Sequence, residues 1–176
     1  MKTIAAILLM LFAQSLWAKE EVSTFHRILV FNEKNELMLV KIKDKDFWVT
    51  PGWYQNSTQS IAQGFGLFEE EYSLEITEPR LAGIFMLKNE KDAIFSIRNF
   101  YIAHATPQRL SLPEMIEQVE WLPIEKALEK ITFPHIKLLV EQVHLKPEQL
   151  LSGTVKRFKE GDIYRAVVTE DFFQLR

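Results

Sequence analysis

At Pro51-Gly52 the hydrophobic period of this chain changes, and that change restricts it to a fold that mixes strands with helices. Before the turn, residues 24–32 (TFHRILVFN) and 36–43 (ELMLVKIK) read as two apolar, β-branched strands, with Glu33-Lys34-Asn35 as the hairpin turn between them. Phe47-Trp48-Val49 is a short third strand. After the turn, Ile61, Phe65, Phe68 and Tyr72 recur at three- and four-residue steps. That spacing predicts a helix over 58–72 with all four side chains on one buried face. Ser57 or Thr58 is its expected cap. Gly64 and Gly66 each cost such a helix about 1 kcal/mol against Ala, so it needs tertiary support.

Downstream, residues 80–88 and 93–105 read as strands joined by the polar Asn89-Glu90-Lys91-Asp92. Val119-Glu120-Trp121-Leu122 is a short strand closed by Pro123, and 124–131 and 135–144 are helical. The tail predicts a hairpin, 154–158 with 163–168, turning at Glu160-Gly161-Asp162. The sum is an α+β domain. With 47% apolar and 26% charged residues among 176, the chain is neither disordered nor collagen-like and is long enough for one core.

The first eighteen residues stand apart. Lys2 supplies one positive charge, an apolar run covers 4–13, and Ala18 precedes the polar Lys19-Glu20-Glu21. That order describes a secretory signal peptide, too short to cross a bilayer. The expected organisation is a signal peptide over 1–18, a folded domain over 19–145 and a C-terminal extension over 146–176. The mature chain is then secreted or periplasmic, with no membrane span. Removing Lys2 takes the net charge from −3 to −4. No stretch of Lys and Arg offers a footprint for a nucleic acid polymer. Without cysteine, disulfides, thiolate metal sites and cysteine nucleophiles are excluded. No His pair has metal-ligand spacing within a helix, and neither G-x-S-x-G nor a Walker-type glycine pattern is present.

One stretch carries a chemical signature, WVTPGWYQNSTQSIAQGFGLFEEEYSLEI from Trp48 to Ile76. It resembles the box of the Nudix family, G-x5-E-x7-R-E-U-x-E-E-x-G-U with U apolar. Laid from Gly52 without gaps, the box finds Gly52, Phe68, Glu70, Glu71 and Leu74 in place. Its earlier Glu falls at Thr58, its Arg at Gly66, its next Glu at Leu67 and its later Gly at Ser73. The strand order, the Trp-x-x-Pro-Gly entry and the Glu-Trp-Leu-Pro strand end are also similar.

The resemblance implies a mixed β-sheet sandwiched between helices, with the tail hairpin added. It also implies hydrolysis of a nucleoside diphosphate linked to another moiety, assisted by Mg²⁺ or Mn²⁺. Carboxylates at i, i+3 and i+4 of a helix share one face and suit hard divalent ions. Here those positions hold Leu67, Glu70 and Glu71. The resemblance thus makes Glu70 and Glu71 the catalytic and metal-holding pair. A further acid expected at Met115 is replaced by its flanking Glu114 or Glu117, Glu117 being taken as a third metal ligand. Trp53 and Tyr54, beside the turn, would stack on the substrate's ring; loop aromatics also serve as ordinary packing caps. Glu69-Glu70-Glu71 is equally read as the solvated end of an amphipathic helix. With four box positions changed, a second class stays open: an inactive module of the same fold that binds a nucleotide or another ligand, or a partner. The sequence leaves the oligomeric state open.

Overall fold

A computed structural model describes residues 22–77, 79–89, 95–106 and 109–175. The expected signal segment over 1–18 lies outside the described residues, as do the first two residues of the strand expected over 93–105. In chain order the elements are β1 (Ser23–Phe31), β2 (Leu37–Ile42), β3 (Phe47–Val49), β4 (Gly52–Tyr54), α1 (Ile61–Tyr72), β5 (Arg80–Asn89), β6 (Phe95–His104), β7 (Ile116–Leu122), α2 (Ile124–Lys130), α3 (Pro134–Leu145), β8 (Leu151–Glu160) and β9 (Ile163–Gln174).

The strands form one mixed sheet in the order β3-β2-β1-β6-β5-β8-β9, with β4 against β1 and β7 against β2. Two of its pairings are parallel, β1 with β6 and β5 with β8. The β1–β2 hairpin turns where expected: the Asn32 side chain accepts from the backbone N–H groups of Lys34 and Glu36, an arrangement that short Asx side chains favour.

Alternation along β1 divides the core between two faces. Ile28 and Val30 join Met38, Phe68, Tyr72 and Ala103 beneath α1. Leu29 and Phe31 join Leu39, Phe85, Phe100, Leu139, Val140 and Val143 beneath α2 and α3. A run apolar at every position, from Ile28 to Phe31, is what burial on both faces demands. Each such side chain contributes about 1.5–3 kcal/mol by leaving water. The result is the expected sheet between helices.

Several expectations are corrected in detail. Helix α1 begins at Ile61, three residues later than the period suggested, and its cap is Ser60 rather than Ser57 or Thr58. Ile61, expected in the core, is 46% exposed because it sits in the first turn, before the helix reaches the sheet. Gly52 opens a short strand, antiparallel to Phe25, His26 and Arg27. β7 starts at Ile116 because it pairs along the length of β2. The tail hairpin is longer than predicted, and β8 joins the central sheet beside β5.

Candidate functional site

Gly52 sets the geometry of the loop before α1. A Cβ there would lie 2.1 Å from the carbonyl oxygen of His26, so only glycine lets β4 close on β1. The preceding residues are pinned by Ile28 N–H donating to Pro51 O at 3.0 Å and by Arg27 Nη1 donating to Thr50 Oγ1 at 2.8 Å. Ser60 then caps α1 reciprocally with Gln63: Gln63 N–H donates to Ser60 Oγ at 3.2 Å and Ser60 N–H to Gln63 Oε1 at 2.8 Å. Thr58, at the position of the family's earlier Glu, is held by Asn56 Oδ1 through its N–H and its hydroxyl.

The other end of α1 closes at Ser73, in the left-handed conformation with φ 48°, where the family's box has glycine. Ser73 and Ser111 hydroxyls lie 2.6 Å apart, and Ser111 N–H donates to Tyr72 O at 2.9 Å. These contacts draw the 109–116 segment against the helix and make one wall of a cleft. The cleft, about 460 Å³, is lined by Trp53, Leu67, Glu71, Pro113, Glu114 and Met115 among others. Burial and the neighbouring Glu71 charge push the Tyr72 phenol well above its ordinary range, so Tyr72 stays protonated.

The three consecutive glutamates have three different surroundings. Glu69 Oε1 accepts from Ile76 N–H at 3.0 Å and so finishes the helix rather than facing the cleft. Glu70 lines a shallow groove on the outer side of α1 with Asn56, Thr58, Gln63 and Gly66. Glu71 lines the cleft with Glu114. Leu67, 47% exposed, borders both grooves, as does Gln59. Glu117 lines neither groove; it pairs with Lys41 at 3.1 Å. Among the described residues no group of three or more His, Asp or Glu side chains is placed to hold a metal ion. The cleft offers a divalent ion two carboxylates, Glu71 and Glu114, so waters and substrate oxygens would have to complete the coordination shell of Mg²⁺ or Mn²⁺.

Trp53 and Tyr54 project to opposite faces of the sheet. Trp53 stacks on His26, with ring centroids 5.0 Å apart, and meets the ring of Phe65 edge-on at 5.1 Å. Its Nε1 is buried without a hydrogen-bond partner among the described residues, and the side chains of His26 and Gln55 face each other beside it. Burial pushes the His26 imidazole pKa down, opposed in part by Gln55, so the ring is neutral near pH 7. Tyr54, on the other face, packs edge-on against Phe25 and lines a second cavity with Arg27, Arg98 and Arg157. Sequence reasoning named Trp53, Tyr54, Glu71 and Glu114 but none of these arginines.

No family model matches the chain, and no curated protein sequence matches it. Solved structures do. The chain is similar to the MutT protein from Bacillus halodurans, at 22% identity and a TM-score of 0.61, over 82% of this chain and 97% of that one. It is also similar to the NUDIX domain of NrtR from Shewanella oneidensis, solved with ADP ribose, at 16% identity and a TM-score of 0.60, over 78% and 97%. An ADP-ribose pyrophosphatase from Streptococcus suis is a third, at 15% identity and a TM-score of 0.53, over 79% and 100%. At these identities the likeness is one of fold: the chain has the Nudix fold.

Proposed function

From a Nudix fold whose helix α1 presents no three-acid cradle among the described residues, we propose that this chain binds a nucleotide-derived small molecule without hydrolysing it. The observation that supports this is Leu67, exposed on the border of two grooves while Glu70 and Glu71 line one each. Metal-assisted attack on phosphorus needs ligand oxygens gathered against the diphosphate. An aliphatic side chain at that point supplies none. The cleft of about 460 Å³ beside α1 has the size of a small-molecule site, apolar at Trp53, Pro113 and Met115 and polar at Glu71 and Glu114.

The test uses the chain without residues 1–18. It is incubated with ADP-ribose and a UDP-sugar, with Mg²⁺ or Mn²⁺, and products are followed by chromatography; calorimetry without metal reads binding. Binding without turnover supports the proposal. Metal-dependent turnover that Glu71→Gln abolishes overturns it and selects the second reading, a divalent-metal-dependent hydrolase. That reading draws on Glu71 and Glu114 sharing one cleft. Export is a separate proposal resting on residues 1–18 alone. It requires that protein recovered outside the cytoplasm begin at Lys19 by mass; a chain retained inside with Met1 intact sinks it.

A further inference from the structure

On the sheet face opposite α1, three arginines from three strands far apart in sequence meet around one cavity. Arg27 on β1, Arg98 on β6 and Arg157 on β8 line it with Phe25, Tyr54, Phe133 and His135. Arg27 and Arg98 are 7% and 8% exposed. A charge so deeply buried is ordinarily paired with an opposite one. None of the three pairs with a carboxylate among the described residues, and no acid lines the cavity.

What compensates them is neutral. Arg27 donates to Thr50 and lies over the Phe25 ring, 4.8 Å from its centroid. Arg98 lies over the rings of Phe25 and Tyr54, at 5.2 and 5.6 Å, and hydrogen-bonds the Tyr54 side chain, while its buried Nε has no hydrogen-bond partner among the described residues. Arg157 Nε donates to Asn89 Oδ1. Burial pushes both Arg27 and Arg98 below their ordinary range, and Arg98 adds its repulsion to Arg27. Every one of these features is relieved by one change, the arrival of an anion.

We propose that this cavity binds the phosphoryl group of a small phosphomonoester, its three guanidinium groups donating to the phosphoryl oxygens and its aromatic walls covering the remainder of the ligand. Guanidinium groups match phosphate geometry with paired N–H donors. The cavity is about 200 Å³, several times the space of a phosphate yet below the usual range for drug-sized ligands. A ring or a short apolar chain fills what the phosphate leaves. The site lies across the sheet from the α1 cleft, so it stands whether or not that cleft hydrolyses anything.

The experiment measures binding by calorimetry and thermal shift of the chain without residues 1–18. The probes are inorganic phosphate, phenyl phosphate and benzoate, each against chloride at matched ionic strength. Phenyl phosphate is expected to bind most tightly and raise the melting temperature, with phosphate weaker and benzoate weaker still. Arg98→Met and Arg98→Lys should each weaken phenyl phosphate by about tenfold or more, because Lys lacks the paired donors. Arg157→Gln, at a half-buried position, repeats the test without touching the two buried groups. Arg98→Met should also raise the melting temperature of the free protein, since it removes a buried unpaired charge. Failure of both phosphates to bind beyond chloride overturns the proposal. So does benzoate binding as tightly as phenyl phosphate, or full binding by the Arg98 and Arg157 variants.

Discussion

Gly64 lies so close under the indole of Trp53 that a Cβ placed on it would sit 2.4 Å from the ring. The helix accepts an unfavourable residue there because the indole, wedged between α1 and His26, needs the space. Gly64→Ala should therefore destabilise the fold by about 1–3 kcal/mol through overpacking, despite the helix propensity of alanine. Gly66 has no neighbouring side chain within 4 Å of its Cβ position among the described residues, so Gly66→Ala should stabilise by up to about 1 kcal/mol. Urea unfolding of the two variants reads the opposite signs; like signs would refute the account of Trp53.

The cap of α1 gives a second contrast. Ser60→Ala removes the acceptor for Gln63 N–H and should cost about 1 kcal/mol. Thr58→Ala, two residues earlier and outside the helix, should stay within about 0.5 kcal/mol. Thermal unfolding distinguishes the two, and an equal loss at Thr58 would contradict the observed start of α1.

Stability should fall on the acid side because of His135. Burial, then the charges of Arg157, Arg27 and Arg98, push this imidazole down to about 3. The unfolded chain takes up the proton near the ordinary value of about 6.5, while the folded chain does not until near 3. The contribution is complete above pH 6.5 and is lost progressively as pH drops toward 3, at up to about 1.4 kcal/mol per unit. Denaturant unfolding at pH 7 and pH 5 should show the decline, and His135→Leu should flatten it. A wild-type profile unchanged by that variant would contradict the assignment.

Restoring acids to α1 tests what Leu67 removes. Leu67→Glu combined with Gly66→Arg should strengthen Mn²⁺ binding by about tenfold or more, the scale on which single ligands and their orienting partners act. Free Mn²⁺ measured by electron paramagnetic resonance reads the change. Unchanged affinity in a folded double variant would mean that Glu70 and Glu71 cannot be brought to bear on one ion.

Apart from β4, which is too short to carry a period, the order of strands and helices was legible because each element carries its own period, and the box positions from Gly52 to Leu74 located α1. The cap was misplaced for a local reason. Ser57, Thr58 and Ser60 are all capable acceptors, and only Ser60 has a Gln three residues on that can answer it. Ile61 looked like core because periodicity records a face but not where along the helix the sheet begins.

The cavity of arginines was hidden by distance along the chain. Arg27, Arg98 and Arg157 fall on three strands, joined through β1 with β6, β6 with β5 and β5 with β8, and the two parallel pairings among these leave no mark on local sequence. A signal was nonetheless present: Arg27 and Arg98 each interrupt a strand otherwise fit for burial, HRILVF and FSIRNFYI. Charges in such places ask for a reason.

The junction of β8 with β5 changes the standing of everything past Leu145. Leu151 and Val155 complete the core under α3, and Arg157 arrives on the same strand. A chain stopped after α3 would leave β5 with a bare edge, open to pairing with whatever strand came near, and would forfeit a third of the positive charge around the cavity. What reads as an appendage in the order of residues is a wall of the building.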